Sequence, residues 1–134
     1  MRDGAEPVQL TFDNKPEVLT EKNRILKAGG RIQAFKDQAT NEDMGPLRVW
    51  LPDQDLPGLA MSRSLGDALA HSVGVTSVPE LTEFLLTKED RFVVIATDGV
   101  WEFLSNQEVA QIVYPYYIEN QPEAAANALV RASH

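Results

Sequence analysis

The chain contains no cysteine, which removes disulfide scaffolds, thiolate zinc sites and cysteine nucleophiles together. That absence suits a reducing compartment, and an intracellular location, cytoplasmic or nuclear, is expected. Histidine is almost as scarce: His71 and His134 are the only two, too few for a His-rich zinc site or a Ser-His-Asp triad. Basic charge is short as well, with 12 Lys and Arg against 20 Asp and Glu and a net charge of −8. Such a chain lacks the field that binds nucleic acid through counterion release, and anionic lipid repels it, so neither is expected as a partner. No apolar run approaches the ~18 residues that cross a bilayer, so no integral membrane segment is expected. The opening Met1-Arg2-Asp3-Gly4-Ala5-Glu6 has no signal-peptide core. Gly29-Gly30 has neither spacing that wraps a phosphate in backbone amides, and it follows a helical pattern where those motifs precede one.

What is present is ordinary globular composition: 43% apolar and 24% charged over 134 residues, the size of one domain. Val8-Gln9-Leu10-Thr11-Phe12 alternates as a short strand and stops at Asp13-Asn14-Lys15-Pro16. Glu17 to Ala28 has helical spacing, with Ile25 and Leu26 apolar and Glu21, Lys22 and Lys27 polar, and Gly29-Gly30 supplies a left-handed stop. A strand over Arg31 to Phe35, a polar loop over Lys36 to Gly45 and a strand over Leu47 to Leu51 follow, then a turn from Pro52 to Gly58. A short helical piece covers Asp67 to His71. The β-branched run Arg91 to Thr97 predicts a central strand covered on both faces. Ser105 and Glu108 form a capping box, ahead of a helix whose stripe is Val109, Ile112 and Val113 and which ends near Pro115. Pro122 opens a last helix through Ala132. The chain stops within that helix at His134, from which we expect a piece of something longer.

With nucleophiles and zinc ligands removed, oxygen chemistry remains. Asp98 sits where the apolar run emerges, next to Gly99, and Glu102 follows four residues later. Two carboxylates so spaced suit a hard cation such as Mg²⁺ or Mn²⁺. Equally, Asp98-Gly99 reads as a plain turn and Glu102 as a solvated charge. Asp13 either joins the same cluster or makes an Asx turn, and Asp67 reads as a helix cap. For Arg63 a buried ion pair is the better reading than phosphate binding. Trp50 and Trp101 read as anchors at the core or its edge.

Five ordered segments carry a resemblance. They are Leu10-Thr11-Phe12-Asp13-Asn14-Lys15-Pro16, Ala28-Gly29-Gly30-Arg31-Ile32, Gly58-Leu59-Ala60-Met61-Ser62-Arg63-Ser64-Leu65-Gly66-Asp67, Gly74-Val75-Thr76-Ser77-Val78-Pro79-Glu80 and Ala96-Thr97-Asp98-Gly99-Val100-Trp101-Glu102-Phe103-Leu104-Ser105. Together they resemble motifs of the metal-dependent (type-2C) serine/threonine protein phosphatases, across residues 8 to 133. The resemblance implies an α/β (α+β) fold, a partial antiparallel β-sandwich flanked by helices and incomplete in this chain. It implies the C-terminal part of a catalytic domain that hydrolyses phosphoserine and phosphothreonine in proteins. Two or more Mg²⁺ or Mn²⁺ ions would activate the attacking water, so no side-chain nucleophile is needed. Asp98 matches the metal-binding Asp of the family's Asp-Gly-x-Trp motif; Asp13 and Glu102 match positions that in some members help hold a third metal.

Two departures stand out: Glu102 where Asp is frequent, and Asn14 where His is common. The resemblance further implies that the remaining metal ligands, the proposed general-acid histidine and the phosphate-binding arginine lie outside this chain. The piece by itself is therefore expected to be inactive and prone to self-association through uncovered sheet edges or faces. The competing expectation is a non-catalytic, phosphatase-like interaction or regulatory module. A third, an unrelated small metal-binding domain, would scatter Asp13, Asp98 and Glu102.

Overall fold

The computed structural model describes residues 6–134; of the opening segment, Met1–Ala5 lies outside the described residues. Two units divide the chain, one from Phe12 to Leu81 and the other comprising residues up to Thr11 with Thr82–His134.

The Phe12–Leu81 unit begins with helix α1, Leu19–Lys27. Its acidic residue stands in the first turn and its basic residues in the last, as the helix dipole favours. Gly29 adopts φ +87°, a left-handed exit that costs a glycine little. The chain then forms β1, Arg31–Lys36, which pairs antiparallel with β2, Asp43–Trp50; the three-residue β3, Pro57–Leu59, adds to the other edge of β2. The sheet order is β1-β2-β3. The loop expected over Lys36 to Gly45 is therefore shorter than its polarity implied. Asp37 Oδ1 accepts from the Ala39 and Thr40 amides, closing the turn early enough for Asp43 and Met44 to pair with Lys36 and Phe35. Ile25, Val49, Ala70, Val73 and Val75 form the core, with Ile32, Leu51 and Leu59 against it. Helix α2, Ala68–His71, supplies Ala70. Asp67 stands at the N-cap of α2 with φ +43° and makes no side-chain cap bond, contrary to its reading as a cap.

The other unit is built on helices α4, Asn106–Ile118, and α5, Pro122–Ala132, preceded by the single turn α3, Asp98–Trp101. Ser105 and Glu108 make the expected capping box, with the Glu108 amide donating to Ser105 Oγ at 3.3 Å and the Ser105 amide to Glu108 Oε2 at 2.8 Å. Helix α4 runs through Pro115 for three further residues, and Val109 and Val113 meet Ala125 and Leu129 of α5 in the core with Val100.

Two expected strands are not seen among the described residues. Residues 8–12 and 91–97 lie outside the helices and the three strands found among the described residues. In the second segment Phe92, Val94 and Ala96 pack on the α4–α5 core, while Val93 faces solvent and Ile95 is 93% exposed. A continuous apolar run is compatible with two covered faces; among the described residues the α4–α5 core covers the face of Phe92, Val94 and Ala96. Among the described residues the sandwich is thus a single three-stranded sheet with helices, a mixed α and antiparallel β arrangement.

Candidate functional site

Asp98 and Glu102 are brought together. Asp98 opens α3 and Glu102 caps its end, with the Glu102 amide donating to the Asp98 carbonyl at 2.8 Å. Residues four apart on a helical turn share a face, about 5–6 Å between Cβ atoms, and both side chains are exposed. The turn follows directly from the one-sided apolar segment. The extended Thr97 accepts from the Val100 and Trp101 amides, and Val100 is buried against α4 and α5. The Trp101 indole Nε1 donates to the Ala96 carbonyl at 2.9 Å, tying the turn back to the segment that leads into it.

Asp13 belongs to the other unit, where its carboxylate is 74% exposed and sits 3.5 Å from Lys15 Nζ. Hard carboxylate oxygens at Asp98 and Glu102 have the donor chemistry that Mg²⁺ or Mn²⁺ takes. The count falls short of a centre: among the described residues no three His, Cys, Asp or Glu side chains gather where they would hold a metal ion.

The most ordered charge cluster is one that sequence reading passed over. Glu21, assigned above to the polar face of α1, is 1% exposed. Arg24 Nη1 and Nη2 donate to its two oxygens at 2.8 and 2.6 Å, and Arg63 Nη2 and Nε donate to the same oxygens at 2.8 and 3.1 Å. Ser62 Oγ lies 2.6 Å from Glu21 Oε2 and 2.6 Å from the Asn14 carbonyl, with one proton to give to either. These donors, the Arg24 guanidinium foremost, hold the Glu21 carboxyl far below the usual carboxylate range against the opposing effect of burial. Arg24 also donates to the Gly74 and Ser62 carbonyls, so the cluster links α1 to the Asn14 turn and to the Ser62–Gly74 stretch. The ion pair read for Arg63 is there, and with its fork so occupied the residue is structural. The i,i+3 spacing of Glu21 and Arg24 was the available signal; the partners some forty residues away left none.

Comparison with known proteins decides the family. The family model for protein phosphatase 2C matches residues 1–133. The chain belongs to the protein phosphatase 2C family. It is 48% identical over 106 residues to "Probable protein phosphatase 2C 48" of Oryza sativa subsp. japonica, covering 79% of this chain and 29% of that protein. With "Probable protein phosphatase 2C 12" of the same plant it shares 50% identity over 108 residues, 81% of this chain and 26% of the relative. A crystal structure of a serine-threonine phosphatase 2C from Toxoplasma gondii superposes with TM-score 0.77 at 25% identity, over 92% of this chain and 40% of that one. The chain spans well under half the length of these phosphatase 2C relatives.

Proposed function

We propose that this chain is the C-terminal part of a phosphatase 2C catalytic domain, and that the protein containing it removes phosphate from phosphoserine and phosphothreonine in protein substrates. Asp98 is the residue we assign to metal ligation, with Glu102 beside it and Asp13 as a further ligand. Bound Mg²⁺ or Mn²⁺ would supply Lewis-acid charge to the phosphoryl oxygens and a water of lowered pKa. Asp98 and Glu102 would offer oxygen donors from one turn, while the buried cluster at Glu21 keeps Arg63 away from substrate. The observation that carries this reading is the solvent-facing pair of carboxylates inside a family match that runs the length of the chain.

Alone, the chain is proposed to be inactive, because Asp98 with only Glu102 and Asp13 to help it cannot offset two divalent charges. Val93 and Ile95, both apolar and exposed, are where isolated copies would self-associate. The test is to assay the complete catalytic domain on a phosphothreonine peptide with Mn²⁺, with and without Asp98→Asn, beside the 134-residue chain. Loss of activity in the variant and none in the short chain are expected. Equal rates for the two complete proteins would remove Asp98 from the mechanism, and an inactive complete domain would favour a regulatory module.

A further inference from the structure

A one-turn helix does not hold itself together. Forming one turn fixes several dihedrals for one or two hydrogen bonds, and short isolated helices are unfavourable in water. The turn α3 has further handicaps: Gly99 lies inside it, and the Thr97 side chain makes no cap bond. Yet this turn carries both Asp98 and Glu102. Tertiary ties must therefore fix it, and two are visible. On one side Val100 is buried among Val109, Val113, Ala125 and Leu129. On the other the Trp101 indole donates to the Ala96 carbonyl. An indole nitrogen is a donor only, and this bond bridges residues 97 to 100, where the chain passes from the extended Thr97 into the helical turn that Asp98 opens.

We propose that Trp101 is a positioning residue for Asp98. Its N–H staples the chain across residues 96 to 101, so that the Asp98 carboxylate leaves a fixed backbone with Glu102 one turn beyond. Trp101 itself touches neither substrate nor metal in this assignment, and the proposal rests on the reading of Asp98 as a metal ligand. The bond also explains why the residue is a tryptophan though its ring is partly exposed: a phenylalanine would fill similar space without the donor.

The first test uses the 134-residue chain and needs no metal. Trp101→Phe is expected to speed amide exchange at Val100, Glu102 and Leu104 by about 3- to 10-fold, the effect of one lost hydrogen bond, while amides within α4 keep their protection. The benzothiophene isostere of tryptophan at position 101, which replaces N–H by sulfur, should do the same and separates the lost donor from any loss of ring volume. In the complete catalytic domain, Trp101→Phe is expected to raise the Mn²⁺ concentration for half-maximal activity by about 3- to 10-fold and to leave kcat at saturating Mn²⁺ within about twofold. Unchanged exchange in both variants would overturn the proposal, as would faster exchange with an unchanged Mn²⁺ requirement. Asp98→Asn run beside them keeps the readings apart: full activity there would refute the role of Asp98 itself, whatever Trp101 does.

Discussion

Glu21→Gln is the substitution that most directly tests how the Phe12–Leu81 unit is held together. The change preserves shape and removes one charge. In the wild-type chain five donor contacts converge on the two carboxylate oxygens. A glutamine keeps one acceptor oxygen and turns an amide NH₂ toward guanidinium N–H groups, so Arg24 and Arg63 are left facing a donor. Removing one partner of a fully buried pair costs about 3–5 kcal/mol. Here the arginine side chains are 31% and 24% exposed and regain some hydration, which brings the expected loss to about 2–4 kcal/mol. Urea unfolding followed by Trp50, which is buried in the same unit, reads this cleanly in a Trp101→Phe background. For a unit of roughly 70 residues the denaturant slope is about 1 kcal/mol per molar urea, so the midpoint should fall by about 2 M or more.

The pH dependence gives an independent check with a definite sign. Glu21 has its carboxyl depressed in the folded state from an ordinary value of 4.5. Its contribution is therefore complete above that value and is lost as pH falls from there toward the depressed folded-state value. The gap between wild type and Glu21→Gln should be constant from pH 7 to about 5. By pH 3 it should narrow by about 2 kcal/mol, at 1.36 kcal/mol per unit. A midpoint shift worth less than about 0.5 kcal/mol at pH 7, or a gap that does not close in acid, would refute the argument that this carboxylate is a buried structural anion.

Three further outcomes follow from local geometry. Gly74→Ala should cost about 2–4 kcal/mol by the same Trp50 signal, because φ is +96° and the new Cβ would meet Ala28 Cβ and Ile25 Cα at 2.9 Å. Gly99→Ala should instead raise stability by about 0.5 kcal/mol in thermal unfolding, since only Thr97 Oγ1, 3.5 Å away, approaches the new Cβ; a loss of activity in the complete domain despite that gain would mark Gly99 as room for a ligand. Ser105→Ala removes the oxygen that caps α4 and should cost about 1 kcal/mol, seen as faster amide exchange confined to the first turn of the helix.

Features written in neighbouring residues were legible. The α4 capping box, proline at the start of α5 and the glycine exit from α1 each depend on contacts within four residues, and each stands where its pattern put it. Alternation at Val8–Phe12 and apolarity at Arg91–Thr97 describe what a strand needs on its faces but not its ladder, and among the described residues neither segment is part of the β1-β2-β3 sheet. Glu21 shows the same limit for polar groups. Its helical position was correct, yet its burial is decided by Ser62 and Arg63, which the fold brings back across about forty residues. A charge on an amphipathic helix reads as solvated until the fold supplies donors enough to bury it.

The candidate site divides along the same line. The four-residue spacing of Asp98 and Glu102 was legible, but it left a plain turn open, and only the helical turn α3 puts the two on one face. Whether that face holds a cation depends on ligand number, which no local spacing encodes. Carboxylates in excess of their counter-charges repel, so a turn presenting two of them to solvent is a poor element of stability and must be held by something else. Val100 in the core and the indole bond from Trp101 to Ala96 are those supports. Stability spent on fixing two like charges side by side, in a turn too short to form alone, is intelligible if an external positive charge is meant to meet them.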